Sequence, residues 1–149
     1  MNIGHGLGKL LDEYIYYDKT IDQDHKTELL AMQSKGYGMN LSISKNEIPW
    51  KHFIGLPGYS AVATFEGGFF FTKGVWKPEK NSCMNNNVPY FSAPGREKIV
   101  KRTLKIAGEQ YSLEKFIEND KQELNLKSLS ISKQTIPLAP PVLMDKKLF

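Results

Sequence analysis

The stretch MNIGHGLGKLLDEY, residues 1–14, decides how the rest of the chain is read. Apolar residues recur at Ile3, Leu7, Leu10, Leu11, Tyr14 and Ile15, spacings of three, four and seven that predict a helix from Ile3 to about Tyr17. Gly4, Gly6 and Gly8 work against that helix, each by about 1 kcal/mol relative to alanine. Three glycines in five positions instead point to a neighbour packed close against the backbone. His5 and Asp12 are seven residues apart, and seven residues of ideal helix return almost to the same face. An imidazole and a carboxylate on one face are a candidate pair of metal ligands. A lone His in a glycine-rich segment is more often structural, so the remaining sequence has to choose.

Composition narrows the classes. The chain has 149 residues, 40% hydrophobic and 24% charged with both signs mixed, which suits one folded domain of modest core rather than a disordered chain. The net charge of +4 is mild. The densest basic run, Arg96–Lys105, reads as the solvated face of a helix and not as a nucleic-acid footprint. Cys83 is the one cysteine, so no internal disulfide forms. No apolar run is long enough to span a membrane, and no basic segment followed by an apolar core marks export.

Taken in order, residues 18–24 read as an exit loop and Thr27–Ser34 as a short helix closed by the turn residues 35–38. Leu41–Ser44 is a weak strand, and Trp50, His52, Phe53 and Ile54 form an apolar-rich patch. Ala61–Phe65 and Phe69–Thr72 read as the strands of a hairpin whose turn is Glu66-Gly67-Gly68, glycine supplying the positive φ a tight turn needs. Gly74–Asn87 reads as loop, rich in turn-forming Asn. Pro94–Ala107 is the clearest helix, with Ser92 as N-cap and Gly108 as stop. A second short helix runs from a Ser112 cap to about Asn119, with Leu113, Phe116 and Ile117 facing inward. Residues 121–149 read as an extended tail with one possible strand at Ser128–Ser132, leaving residues 1–120 as the folded α+β part.

Several of these stretches, in this order, resemble the bacterial IgA peptidase family of metzincin-like zinc metallopeptidases. The opening resembles a zinc helix of the form His-Glu-x-Gly-His followed by a glycine turn and Asp-Glu-Tyr, matched by Gly4, His5, Gly8, Leu10, Asp12, Glu13 and Tyr14. Trp50-Lys51-His52-Phe53 resembles a Trp-x-His segment. Phe65–Gly68 with Lys73–Pro78 resembles a Tyr-Glu-Gly-Gly and Lys-Gly-x-x-Arg-Pro block. Residues 81–84 and 93–97 resemble a Met-containing turn and the Asn-Ala-Pro-Ser-Arg-Glu start of a helix. The resemblance covers roughly residues 3–120.

The resemblance implies the C-terminal part of a metzincin-like peptidase domain: a truncated active-site helix, a β-hairpin, a Met-turn and C-terminal helices. It implies zinc, with His5 as a ligand and Met84 as the floor beneath the site. The metzincin spacing puts a third ligand at Leu11, which cannot bind metal. Asp12 is then the nearest donor, with His52 the competing one; His25 is expected at the solvent surface. In His-Glu-x-x-His the first His and the Glu would fall at Met1 and Asn2. A thioether is a poor zinc ligand and an amide cannot accept the proton of a zinc-bound water, so no catalytic residue is assigned and the isolated chain is expected to be inactive. Three accounts of such a chain follow: an N-terminally truncated gene product, one half of a split peptidase, or a non-catalytic binding module on the peptidase scaffold. A basic adaptor using Arg96–Lys105 is the account outside the family. The expected partners are a protein or peptide substrate and a complementary chain or a second copy covering Ile3, Leu7, Leu10 and Leu11, with no nucleic acid. Complete relatives are exported, so an extracellular or periplasmic destination is expected.

Overall fold

The computed structural model describes residues 3–86 and 88–120; the readings for Ser128–Ser132 and the tail fall outside them. The domain is a small mixed α+β fold. Its three-stranded sheet comprises β1 (Ile15–Thr20), β2 (Phe65–Gly68) and β3 (Phe70–Lys77), and its helices are α1 (Gln23–Ser34), α2 (Ala93–Ala107) and α3 (Leu113–Asn119). The strand order is β1-β3-β2, with β1 parallel and β2 antiparallel to the central β3. Among the described residues no helix is long and apolar enough to cross a membrane.

The opening helix is much shorter than its apolar spacing predicts. It is a single wide turn over Ile3–Leu7, closed by Gly8 N–H to the Ile3 carbonyl at 2.9 Å and Leu10 N–H to the Gly4 carbonyl at 2.9 Å. Those bonds reach back five and six residues, the wide geometry that accompanies many functional sites. Lys9, at φ 52°, then turns the chain left-handed, and residues 10–14 lead into β1 without regular secondary structure. The exit loop expected over residues 18–24 is therefore strand as far as Thr20 and helix from Gln23, and Asp22 is the N-cap of α1, its carboxylate accepting from His25 N–H at 3.0 Å.

The hairpin exists but its turn lies further along the chain. Glu66, Gly67 and Gly68 are strand residues, and Gly68 pairs with Phe71, so the reversal is made by Phe69 and by Phe70, the first residue of β3. Both have positive φ, 49° and 75°, as the first type of hairpin turn requires. The strain of two left-handed Phe residues is offset by packing and by hydrogen bonds: Phe69 is buried, its N–H donates to the Asp12 carbonyl at 3.1 Å, and Phe70 N–H donates to the Tyr14 carbonyl at 2.8 Å. Gly67 and Gly68 are needed for close approach: a Cβ on them would meet Ile15 Cδ1 at 2.6 Å and Leu41 Cδ2 at 3.0 Å. β3 also continues to Lys77 through residues expected to be loop, and Leu41–Ser44 contributes only a bridge between Ser42 and Trp76.

Two apolar clusters hold the elements. Ile21, Leu29, Leu41, Phe69, Phe71 and Val75 join the sheet to α1, with Leu11 packed against them. Trp50, Phe53, Tyr59, Val62, Ala93 and Phe116 join the middle loops to α2 and α3, with Leu113 and Ile117 alongside. α2 follows its sequence signals closely. Ser92 precedes it, Pro94 lies in its first turn, and Gly108 ends it in the left-handed conformation at φ 75°.

Candidate functional site

The reversal at Gly8 and Lys9 brings His5 and Asp12 together by a route other than a shared helical face. His5 Nε2 lies 3.3 Å from Asp12 Oδ1. His5 Nδ1 lies 3.0 Å from the Leu10 carbonyl. A carbonyl only accepts, so Nδ1 carries the hydrogen and a neutral ring presents the Nε2 lone pair to the carboxylate. Two acceptors at that separation repel unless a proton or a cation lies between them. The separation also matches two ligands of one tetrahedral zinc, roughly 3.4 Å for metal–ligand bonds of about 2.0–2.2 Å. A ring fixed through its other nitrogen by a backbone carbonyl is the usual outer support of a metal-bound His.

The backbone around this pair is clamped. Asn40 accepts from Leu11 N–H at 3.0 Å and donates to the Leu11 carbonyl at 2.9 Å, while Phe69 N–H holds the Asp12 carbonyl. Leu11 itself turns into the sheet cluster. Asp12, the next residue, faces His5.

Met84 lies beneath the opening turn. It is fully buried, and a Cβ on Gly4 would meet its Sδ at 2.8 Å and Phe91 Cε1 at 2.8 Å. Gly8 is equally confined, by the Gly4 carbonyl at 2.8 Å and Ile99 Cγ1 at 3.0 Å, whereas Gly6 has open space. The close approach inferred from the glycines therefore applies to two of the three. The turn under Met84 is tight, with Asn85 and Asn86 N–H both donating to the Ser82 carbonyl at 3.1 and 2.9 Å. Asn85 Oδ1 accepts from Ser82 N–H at 2.8 Å.

Glu13 ties these pieces together, and the sequence reading gave it no such role. It is fully buried. Its carboxylate accepts from Asn40 Nδ2 at 2.9 Å and Ser82 Oγ at 2.8 Å, and its N–H donates to the Met84 carbonyl at 2.9 Å. Burial pushes its carboxyl up to about 7, against the hydrogen bonds from Asn40 and Ser82 and the charge of Lys77, which favour ionisation. Nothing in the local sequence pattern links Glu13 to Asn40 and Ser82, which lie 27 and 69 residues away.

His52 is engaged elsewhere. Its Nε2 lies 3.1 Å from Glu97 Oε1 and its ring packs on Phe53 at 4.4 Å between centroids. Among the described residues no three His, Cys, Asp or Glu side chains converge as a metal-binding group, so His52 does not complete the His5 and Asp12 pair. His25 is part-exposed, paired with Asp22 at 2.6 Å and set edge-on to Phe71. The pair could offer two donors to a metal ion, and among the described residues no third His, Cys, Asp or Glu joins them. Comparison with family models and with curated proteins finds no match.

Proposed function

We propose that this chain carries the exit half of a zinc-peptidase site of the bacterial IgA peptidase type, and that it does not hydrolyse peptides by itself. The observation that carries the reading is the His5–Asp12 approach, with the imidazole anchored through Nδ1 above a buried Met84. His5 and Asp12 would hold the ion. Bound zinc would supply a polarised carbonyl and an acidified water. The chain's own contribution is positional: Asn40 and Phe69 fix the backbone of residues 11 and 12, and Glu13 locks that backbone to the Met84 turn. The proton-accepting Glu of the motif falls at Asn2 and the first His at Met1, so neither a base nor a third ligand comes from this stretch.

The test is zinc retention and cleavage on the same sample. Purified chain is expected to hold zinc while failing to cleave casein or immunoglobulin A, with or without a chelator. A variant with Met1→His and Asn2→Glu behind an added start residue is expected to bind zinc at least about tenfold more tightly, because it gains an imidazole ligand. Vigorous chelator-sensitive cleavage by the unaltered chain would refute the inactivity. Unchanged zinc affinity in the double variant would refute the placement of the motif.

A further inference from the structure

Outside that pair, the described part of the molecule has a second concentration of charge. Pro94, Glu97, Lys98 and Lys101 of α2 face Met39 and Pro49 across a crevice of about 90 Å³. Three donors already converge on Glu97 Oε1: Tyr111 OH at 2.7 Å, Lys101 Nζ at 2.8 Å and His52 Nε2 at 3.1 Å. The Glu97 carboxylate is therefore taken up by its own neighbours.

Lys98 is left without a carboxylate at ion-pair distance among the described residues, and Lys101, Arg102 and Lys9 all lie within electrostatic reach of it. Burial, then the charges of those three cations, depress its ammonium below the usual lysine range. Arg102 Nε is buried and has no hydrogen-bond partner. The charges acting on Lys98 are thus three cations and the already engaged Glu97 carboxylate, an imbalance that an incoming anion would relieve. The other walls, Met39, Pro49 and Pro94, are apolar. They suit the methylene stem of an acidic side chain better than a fully hydrated inorganic ion.

We propose that this crevice is a subsite for an acidic side chain of a bound peptide, its carboxylate on Lys98 and its stem against Met39 and Pro49. The helix that carries the subsite packs on the opening segment through other residues: a Cβ on Gly95 would meet Leu10 Cδ1 at 3.2 Å, and a Cβ on Gly8 would meet Ile99 Cγ1 at 3.0 Å. Its alignment with His5 and Asp12 as part of one substrate cleft rests on the peptidase reading. The binding itself does not.

The test is a nitrogen-15 chemical-shift titration of the whole chain, in chelator so that the metal plays no part. The probes are the capped peptides Ala-Glu-Glu-Ala and Ala-Gln-Gln-Ala, with inorganic phosphate as a third arm. The acidic peptide is expected to bind at least about fivefold more tightly than the amide peptide, a gain set by one partly screened charge pair. Lys98→Gln, which leaves the Glu97 network intact, is expected to erase that preference, Lys9→Gln to reduce it, and Lys26→Gln on α1 to leave it unchanged. Equal binding of the two peptides, no saturation up to about 5 mM, phosphate binding as tight as the acidic peptide, or a preference that survives Lys98→Gln would overturn the proposal.

Discussion

Replacing Glu13 by Gln should flatten the dependence of stability on pH between about 4.5 and 7.5. The Glu13 carboxyl is raised from 4.5 to about 7 in the folded chain, because burial penalises its charged form more than its hydrogen bonds favour it. The folded state therefore holds the proton more tightly than the unfolded chain does. The resulting stabilisation is complete below pH 4.5, where both states are protonated. It is lost as pH rises towards 7, because the unfolded chain ionises first and gains from doing so. A rise from 4.5 to about 7, at about 1.4 kcal/mol per pH unit, corresponds to about 3 kcal/mol lost across the window. Gln has no proton to lose and keeps an acceptor for Asn40. Its amide group replaces the oxygen that accepts from Ser82 Oγ, at a cost of about 1 kcal/mol that does not vary with pH. Urea unfolding at fixed salt and in chelator, from pH 4 to pH 8, measures both proteins. The two curves should start close together at low pH and cross as the wild-type chain loses stability. Parallel curves would show that Glu13 does not titrate in this window, and the burial argument would fail.

Other substitutions test the packing under the site. Gly4→Ala should destabilise the fold by about 1–3 kcal/mol through overlap with Met84 and Phe91, while Gly6→Ala, with open space around it, should be neutral or slightly stabilising; chemical denaturation of both variants decides. Gly108→Ala should cost about 1 kcal/mol purely from the left-handed φ at the end of α2, seen as a lower thermal midpoint with an unchanged far-ultraviolet spectrum. His52→Ala should leave zinc retention intact, since His52 is committed to Glu97; loss of zinc in that variant would reinstate it as a ligand.

Helices announced themselves wherever local chemistry sufficed. Pro94 and Gly108 mark the ends of α2 by local chemistry, whereas Ser92 holds the N-cap position without a side-chain hydrogen bond and Glu79 Oε1 accepts from Ala93 N–H at 2.6 Å. The opening helix stops at Leu7 because three glycines oppose what the apolar spacing favours, and Lys9 then adopts φ 52°, a conformation that side-chain-bearing residues rarely signal. β1 was hidden for another reason. Its residues are exposed along their length, so no apolar alternation marks them, and pairing with β3 alone makes them a strand. The hairpin turn was misplaced because glycines suggest turns, whereas here they give room to Ile15 and Leu41 and two Phe residues take the turn. At the site, His5 and Asp12 come to 3.3 Å through the left-handed turn at Lys9 and not along one helical face. The Glu13, Asn40 and Ser82 node could not be foreseen, because it depends on contacts between distant segments.

The most direct test of the central claim is a zinc titration by calorimetry, with metal content checked by mass spectrometry, on the wild-type chain and on His5→Ala and Asp12→Asn. The account predicts one zinc per wild-type chain and loss of that binding in each variant, with the fold retained in both. A wild-type chain that takes up no zinc, or binding that survives both substitutions, would contradict it.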